Sequence, residues 1–222
     1  EVAKNLADVR RLISAAEDAR PKSNAPVELI AISKMHGVEA IEKALAAGHR
    51  VFGENRVQEA QKKWLGQRDR YPDLSLHLIG PLQTNKSADA VELFDVIQTV
   101  DRPKLARALA GHIQQSSRNP DCLIQVNIGD EAQKAGVAIS DLPDLLAQCR
   151  GGFGLPISGL MCIPPVSENP APYFALLAKL ADRYDLENLS MGMTGDYETA
   201  IKFGATSVRV GTGIFGPRPT PA

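Results

Sequence analysis

Short aliphatic runs alternate with segments of helical periodicity along almost the whole chain, and this alternation limits the fold more than any other feature. Eight such runs can be read as strands. Repeated β–α units predict a parallel sheet with right-handed crossovers, because each helix returns the chain to the same edge. Eight units within 222 residues therefore predict an α/β fold, a single (β/α)8 TIM barrel near the lower end of its usual size.

The predicted elements cover most of the chain, and no composition shift marks a linker, so residues 1–222 are expected to form one domain. A doubly wound sheet is the alternative, but the segment after the first strand, 33–37, lacks its GxGxxG fingerprint. The proline-rich tail, 217–222, is expected to be non-helical. The predicted strands are 27–33, 51–53, 74–79, 95–99, 122–127, 157–161, 189–191 and 207–210. The predicted helices are an extra N-terminal one at 1–20, then 38–47, 54–65, 84–93, 102–115, 140–149, 172–184 and 195–203.

Composition excludes several functional classes. The 25 basic and 26 acidic residues leave a net charge of −1, which argues against a dedicated nucleic-acid surface. The three cysteines show neither metal-ligand spacing nor an even count for disulfides, and they favour a reducing, cytoplasmic setting. No apolar run approaches the roughly 20 residues of a membrane span, and segment 1–6 is too charged for a signal peptide.

Lys34 follows an apolar run and is the first candidate for chemistry. Burial of an amine disfavours its charged form and lowers its pKa, so a lysine in this place is poised to attack a carbonyl compound. The alternative is a lysine whose stem is covered while its amine reaches solvent.

The segment 207–213 is the second candidate, because a strand there opens into a loop of small residues. Such a loop brings backbone N–H groups close to a phosphate. A carbonyl-reactive amine and a phosphate-binding loop together suggest pyridoxal 5'-phosphate (PLP) as cofactor; a tight turn without a ligand is the alternative. Arg209 lies between Val208 and Val210 and must find a partner, for which a carboxylate is one possibility.

In a barrel of this kind, functional residues gather where strands end and loops begin. Polar and small residues follow most of the predicted strands here, while the four histidines show no metal spacing. No Ser/His/Asp or Cys/His set can be assembled, so neither catalytic residues nor a metal site is predicted. Glu54 and Glu131 are expected to be solvated or paired rather than general acids.

Several segments, in order along the chain, resemble the pyridoxal phosphate homeostasis protein family. The glycine–glutamate–asparagine–arginine block at 53–56 and the serine–methionine–glycine–methionine block at 190–193 are the most specific. Residues 35–37 depart from the threonine–lysine–proline that is more usual there. The similar segments are 31–34, 52–59, 77–86, 125–127, 159–161, 189–193, 208–212 and 214–216.

The resemblance implies a fold-type III barrel like the N-terminal domain of alanine racemase, with PLP held as a Schiff base, an internal aldimine. It implies specific roles for the matching residues. Lys34 would carry the aldimine, Asn55 would lie beside the ring, and Arg209 would face the pyridine nitrogen. Thr194, Gly211 and Thr212 would hold the phosphate, and Ser190 belongs to the same predicted cofactor-binding set.

The expected function is PLP binding for vitamin B6 homeostasis without substantial catalysis. Racemases and decarboxylases of this fold add a mostly β domain that completes the site, and this chain ends about a dozen residues after its last predicted strand. The alternative is a small PLP-dependent amino-acid racemase; a scaffold that binds partners without cofactor is a third class. The expected partners are PLP and PLP-dependent apo-enzymes as acceptors, with the protein a monomer. Lys134 is a candidate for handing over cofactor, or else a solvated loop lysine.

Overall fold

Eight parallel strands close into a barrel in the computed structural model, which describes residues 1–20 and 25–217. Each strand pairs with its neighbours in chain order, and β8 closes the ring against β1. The predicted fold class, a (β/α)8 TIM barrel with an extra N-terminal helix, is confirmed. The strands are β1 Glu28–Ile32, β2 Val51–Glu54, β3 Ser75–Leu78, β4 Val96–Val100, β5 Asp121–Val126, β6 Ile157–Cys162, β7 Asn188–Met193 and β8 Ser207–Val210.

Helices surround this barrel at the predicted places, with local differences. The segment 84–93 begins with a 3-10 turn at Thr84–Lys86, and the helix expected at 140–149 continues as a π-helical segment at Gln148–Phe153. α4 and α10 were not predicted, because four residues are too short to show a helical period. The helices are α1 Val2–Asp18, α2 Val38–Ala46, α3 Val57–Trp64, α4 Gln67–Arg70, α5 Ser87–Leu93, α6 Pro103–Gln115, α7 Leu142–Ala147, α8 Ala171–Arg183, α9 Tyr197–Lys202 and α10 Thr212–Phe215.

The core lies between the outer face of the strands and the helices. Strands such as β8 are buried along their whole length, because a parallel barrel covers both faces. The extra helix α1 buries Leu6, Val9 and Ile13 at helical spacing and contacts α2, α9 and α10. Asn5 Nδ2 on α1 donates to Ile214 O at 2.9 Å, so this helix also holds the segment that follows β8.

Two findings concern whole classes of site. None of the described helices is both long and apolar enough to cross a membrane. Within residues 1–20 and 25–217, no group of His, Cys, Asp or Glu side chains is arranged to hold a metal ion. The non-helical conformation expected for the C-terminal tail falls mostly on residues 218–222, which lie outside the described residues.

Candidate functional site

A cavity of about 520 Å³ opens at the carboxyl ends of the strands, where the loops meet. Its volume falls in the range of small-molecule sites. The structure brings most of the predicted cofactor-binding residues to its wall, although they come from four different strand ends. Those that line it are Lys34, Asn55, Thr194, Arg209, Gly211 and Thr212. Ser190 lies outside the lining, behind Arg209.

The charged side chains that line this cavity are basic. Lys34, Lys134 and Arg209 line the cavity, and the described lining residues include no Asp or Glu. A site with cationic side chains and no acidic ones favours an anionic ligand. The composition of the wall therefore fits a phosphate-bearing molecule.

Lys34 lies just after β1 rather than at its end, because β1 stops at Ile32 and Ser33 intervenes. Its side chain is half-buried, so the expectation of a fully buried amine is modified: the lysine lies on the wall of an open cavity. Met35, which follows, has a φ of 63°, a left-handed conformation that is uncommon for a residue with a side chain. The chain therefore turns sharply immediately after Lys34.

A buried group of charged side chains fixes the backbone on both sides of Lys34. Glu54, at the end of β2, is fully buried and accepts from Ser33 Oγ at 2.6 Å. Lys63 Nζ on α3 donates to Ser33 O at 2.7 Å and to Glu54 Oε1 at 2.9 Å. Trp64 Nε1 donates to the same Glu54 oxygen at 3.0 Å, so this carboxylate is paired, as one of the sequence alternatives expected.

The same group also holds the residue after Lys34. Glu59 Oε1 accepts from Met35 N at 3.0 Å and from Lys63 Nζ at 3.1 Å. Burial acts to raise the pKa of Glu59, but the Met35 N–H and Lys63 outweigh it, so the pKa is lowered. These four residues, Glu54, Glu59, Lys63 and Trp64, are called the lysine-side cluster below. No local sequence pattern links α3 to Lys34, because the contacts form only when β1 and β2 pair.

Arg209 on β8 is buried and finds neutral partners. Its Nη1 donates to Ser190 Oγ at 2.7 Å, and its Nη2 donates to Cys162 O at 2.8 Å. A carboxylate partner was one sequence expectation, whereas both of these hydrogen-bond acceptors are uncharged. Burial lowers the pKa of the guanidinium, with Cys162 and Asp196 acting in the opposite direction. Arginine has five N–H donors, so donors remain to face the cavity.

Behind Arg209, hydrogen bonds continue into the barrel interior. Ser190 Oγ donates to Gln98 Oε1 at 2.6 Å, and Gln98 Nε2 lies 3.0 Å from His77 Nδ1. Burial lowers the pKa of His77 to about 4, so its imidazole is neutral near pH 7. His77 is therefore a buried histidine whose ring nitrogens have hydrogen-bond partners. Arg209, Ser190, Gln98 and His77 are called the arginine-side network below. Arg209 and Ser190 were among the predicted site residues, whereas the sequence signal for Gln98 is only its polar side chain within the strand β4.

Two short loops, after β7 and after β8, form another part of the cavity wall. Gly211 N donates to Thr194 Oγ1 at 3.3 Å, which links the loop after β7 to the loop after β8. Asp196 Oδ1 accepts from Met193 N at 2.6 Å and fixes the first of these loops. The first N–H groups of a helix have no partner within it, so those of α10, which begins at Thr212, are available to a phosphate.

Asn55 and Lys134 lie on other parts of the wall. A Cβ on Gly80 would lie 2.2 Å from Asn55 O, so only glycine lets the loop after β3 pack on the Asn55 backbone. Lys134 Nζ is 2.5 Å from Glu131 Oε2 and 3.2 Å from Pro164 O, and its side chain is half-buried. Lys134 lines the same cavity as Lys34. Glu131 is paired with Lys134, as one of the sequence alternatives expected.

Comparisons with known proteins agree with this geometry. A family model described as the alanine racemase N-terminal domain matches residues 7–219. The pyridoxal phosphate homeostasis protein of Pseudomonas aeruginosa is 39% identical, over 98% of this chain and 96% of that protein. The structure of PipY from Synechococcus elongatus PCC7942 with PLP bound is 39% identical, with a TM-score of 0.83 over 97% of this chain and all of that one.

A more distant solved structure shares the barrel fold at low sequence identity. Alanine racemase from Corynebacterium glutamicum matches 98% of this chain with a TM-score of 0.67, at 20% identity. The match covers 60% of the racemase, so the two share the barrel fold and the racemase carries additional structure.

Proposed function

The chain belongs to the pyridoxal phosphate homeostasis protein family, and on this basis we propose that it binds PLP in the cavity at the strand ends and serves PLP homeostasis. The observation that carries the proposal is the cavity wall, where Lys34 and Arg209 meet the Thr194 and Gly211 loops with no acidic side chain among the described lining. Residues 1–222 would act as one PLP-binding domain. The relative PipY, solved with PLP bound, supports the choice of cofactor.

The residues present fit PLP group by group. A phosphate dianion needs backbone N–H groups and a hydroxyl, which the loops at Thr194 and Gly211–Thr212 offer. Lys34 Nζ would provide the amine for covalent attachment, and its flanking residues are held by the lysine-side cluster. Asn55, which follows β2 on the same wall, would contact the ring.

Arg209 would meet the ring nitrogen as a hydrogen-bond donor. Bound PLP supplies an aldehyde that reacts with amines and a ring that withdraws electrons. Because a guanidinium does not give up its proton, Arg209 would leave the ring nitrogen unprotonated and weaken that withdrawal. Ser190 would act from behind, through its hydrogen bond to Arg209.

A carrier is favoured over a racemase for two reasons. A weakened electron sink suits retention of the cofactor better than turnover of amino acids. The match to the homeostasis protein covers 96% of that protein, against 60% of the alanine racemase. We therefore propose that the protein has no substantial catalytic activity and that PLP-dependent apo-enzymes receive its cofactor.

The proposal also includes two properties, a cytoplasmic location and a monomeric state. Cys122, Cys149 and Cys162 are free and buried, as expected for a protein of the reducing cytoplasm. All of the proposed PLP contacts come from one chain, so we propose that a monomer suffices for binding. Sedimentation of the PLP-loaded protein tests the second property.

The decisive experiment is reduction of the PLP-loaded protein with borohydride, followed by peptide mapping. The expected result is a pyridoxyl label on Lys34; a label confined to other lysines refutes the assignment.

Titration with pyridoxal in place of PLP tests the phosphate loops, because losing two charge-assisted hydrogen bonds costs on the order of a hundredfold in affinity. Incubation with single-enantiomer amino acids tests the alternative, since turnover well above that of free PLP indicates a racemase.

A further inference from the structure

The hydrogen bonds behind Arg209 all have the same donor-to-acceptor direction, away from the guanidinium. A guanidinium donates only, so the Ser190 oxygen accepts from Arg209 and its own O–H donates onward to Gln98 Oε1. This places the amide nitrogen of Gln98 toward His77, and because an amide nitrogen donates, His77 Nδ1 accepts. The donor-only character of Arg209 therefore fixes the orientation of each successive group.

The same logic fixes the tautomer of His77. With Nδ1 as acceptor, the single proton of the neutral ring is on Nε2, which donates to Ser75 Oγ at 3.2 Å. Glu28 Oε2 lies 3.7 Å from the same nitrogen. Glu28 and Ser75 are the first residues of β1 and β3, so the network crosses the barrel from the cavity to the amino ends of the strands.

We propose that Gln98 and His77 are positioning residues that hold Ser190 as an acceptor and so fix the Arg209 guanidinium toward the ring of the bound cofactor. This proposal rests on the proposed function, since it concerns how the chain presents Arg209 to PLP. Gln98 and Ser190 are almost fully buried and neither lines the cavity, so they act through Arg209 and not by contact with the ligand.

Physical chemistry explains why a network is needed here. Arg209 is buried with two uncharged acceptors, an arrangement in which a charge is costly unless nearby dipoles are oriented toward it. Hydrogen bonds aligned in one direction polarise one another and strengthen the arrangement. Without Gln98, the Ser190 hydroxyl is free to rotate, and the hydrogen bond to Cys162 O is the one contact with a fixed acceptor that still orients Arg209 among the hydrogen bonds described above.

The test compares absorption spectra of PLP-loaded variants. In Gln98→Met, the absorption maximum of the bound cofactor is expected to move in the same direction as in Arg209→Met, by a smaller amount. In the Arg209→Met background, adding Gln98→Met is expected to produce no further shift. The PLP dissociation constant of Gln98→Met should rise by about two- to tenfold, the equivalent of one hydrogen bond.

Thr99→Val is the matched control, because Thr99 is a buried polar neighbour of Gln98 on β4 whose hydroxyl donates to Gly80 O outside the network. It should lower the melting temperature and leave the absorption maximum unchanged. Should Gln98→Met fail to fold, Ser190→Ala breaks the same link by loss of one oxygen atom. A Gln98 or Ser190 effect that persists in the Arg209→Met background, or an unchanged spectrum, overturns the proposal. A wild-type protein that acquires no cofactor absorbance refutes the proposed function instead.

Discussion

The two sides of the cavity are held in different ways. The lysine-side cluster joins Glu54, Glu59 and Lys63 through ion pairs, and it forms hydrogen bonds to the backbone on either side of Lys34. The arginine-side network holds the guanidinium of Arg209 through the Ser190 hydroxyl, which is followed in series by the Gln98 amide and the neutral His77 imidazole. The lysine-side cluster, buried except for the half-buried Glu59, balances several charges, whereas the buried arginine-side network places dipoles around a single charge.

This difference matches the role proposed for each side. A covalent attachment point has to be placed accurately, and fixing residues 33 and 35 restricts the origin of the Lys34 side chain. A donor to a ring nitrogen must stay charged in a fixed orientation, and neutral partners leave its N–H groups without a competing carboxylate.

Lys34→Ala should abolish covalent attachment and leave weaker, non-covalent PLP binding by the arginine and phosphate sides. The free energy of unfolding of the apo-protein should change by less than about 1 kcal/mol, because the side chain lies on the wall of an open cavity. Borohydride labelling and urea denaturation measure the two effects. Lys134→Ala, in the same cavity, should keep its label on Lys34; a label that survives Lys34→Ala would contradict the proposed attachment.

Lys63→Met should destabilise the fold by about 3–5 kcal/mol, because it leaves the Glu54 carboxylate buried without its cation. Urea denaturation gives the free energy of unfolding. Lys43→Met is the control, since its ion pair with Glu39 is exposed and should contribute little. Adding Glu54→Gln to Lys63→Met should restore part of the loss. An equal effect of the two lysine substitutions would show that the cluster is not energetically distinct.

Acid should destabilise the arginine side first. Burial lowers the pKa of His77 from 6.5 to about 4, so the unfolded chain binds a proton in this range and the folded protein does not. The free energy of unfolding should therefore fall as the pH decreases from 6.5 to 4, by about 3 kcal/mol from His77. The pKa of Glu59 is lowered as well, but a carboxylate loses its contribution only as the pH falls through that lowered pKa.

His77→Gln separates this effect from the rest of the molecule. His49, whose pKa burial also lowers to about 4, and His36, whose pKa burial lowers as well, should contribute to the same loss, so the single variant should show a reduced pH dependence and not an abolished one. Urea denaturation between pH 6.5 and 4 provides the measurement. A slope identical to that of the wild type would mean that His77 is protonated in the folded protein.

Lys134→Ala should have the smallest effect. Lys134 is half-buried and paired with Glu131, so its loss should slow cofactor transfer to an apo-enzyme by about two- to fivefold, equivalent to ~0.5–1 kcal/mol. The label on Lys34 should stay intact. Stopped-flow transfer from loaded protein to an apo-enzyme gives the rate, and an unchanged rate identifies Lys134 as a loop lysine without this role.

Much of the fold could be predicted from local patterns. Aliphatic runs and helical periodicity placed all eight strands, with β8 predicted to the residue. Predictions failed where a segment was too short to show a period, as in α4 and α10, or where the local conformation departs from α-helical, as in Gln148–Phe153. Local patterns singled out Lys34, Arg209 and the loop after β8, whereas Asn55, Ser190 and Thr194 came from the family resemblance. All of these except Ser190 line one cavity, because the loops of a barrel converge at one end.

The sequence alone determined the alternation of elements, and through it the barrel and the end at which Lys34 and Arg209 meet. The tertiary structure decided how those two residues are held. Lys63 reaches Ser33 only when α3 packs beside β1 and β2, and Gln98 reaches Ser190 only across the closed barrel, 92 positions along the chain. Hydrogen bonds between groups so far apart in sequence depend on strand register and barrel closure, and neither leaves a local pattern in the residues.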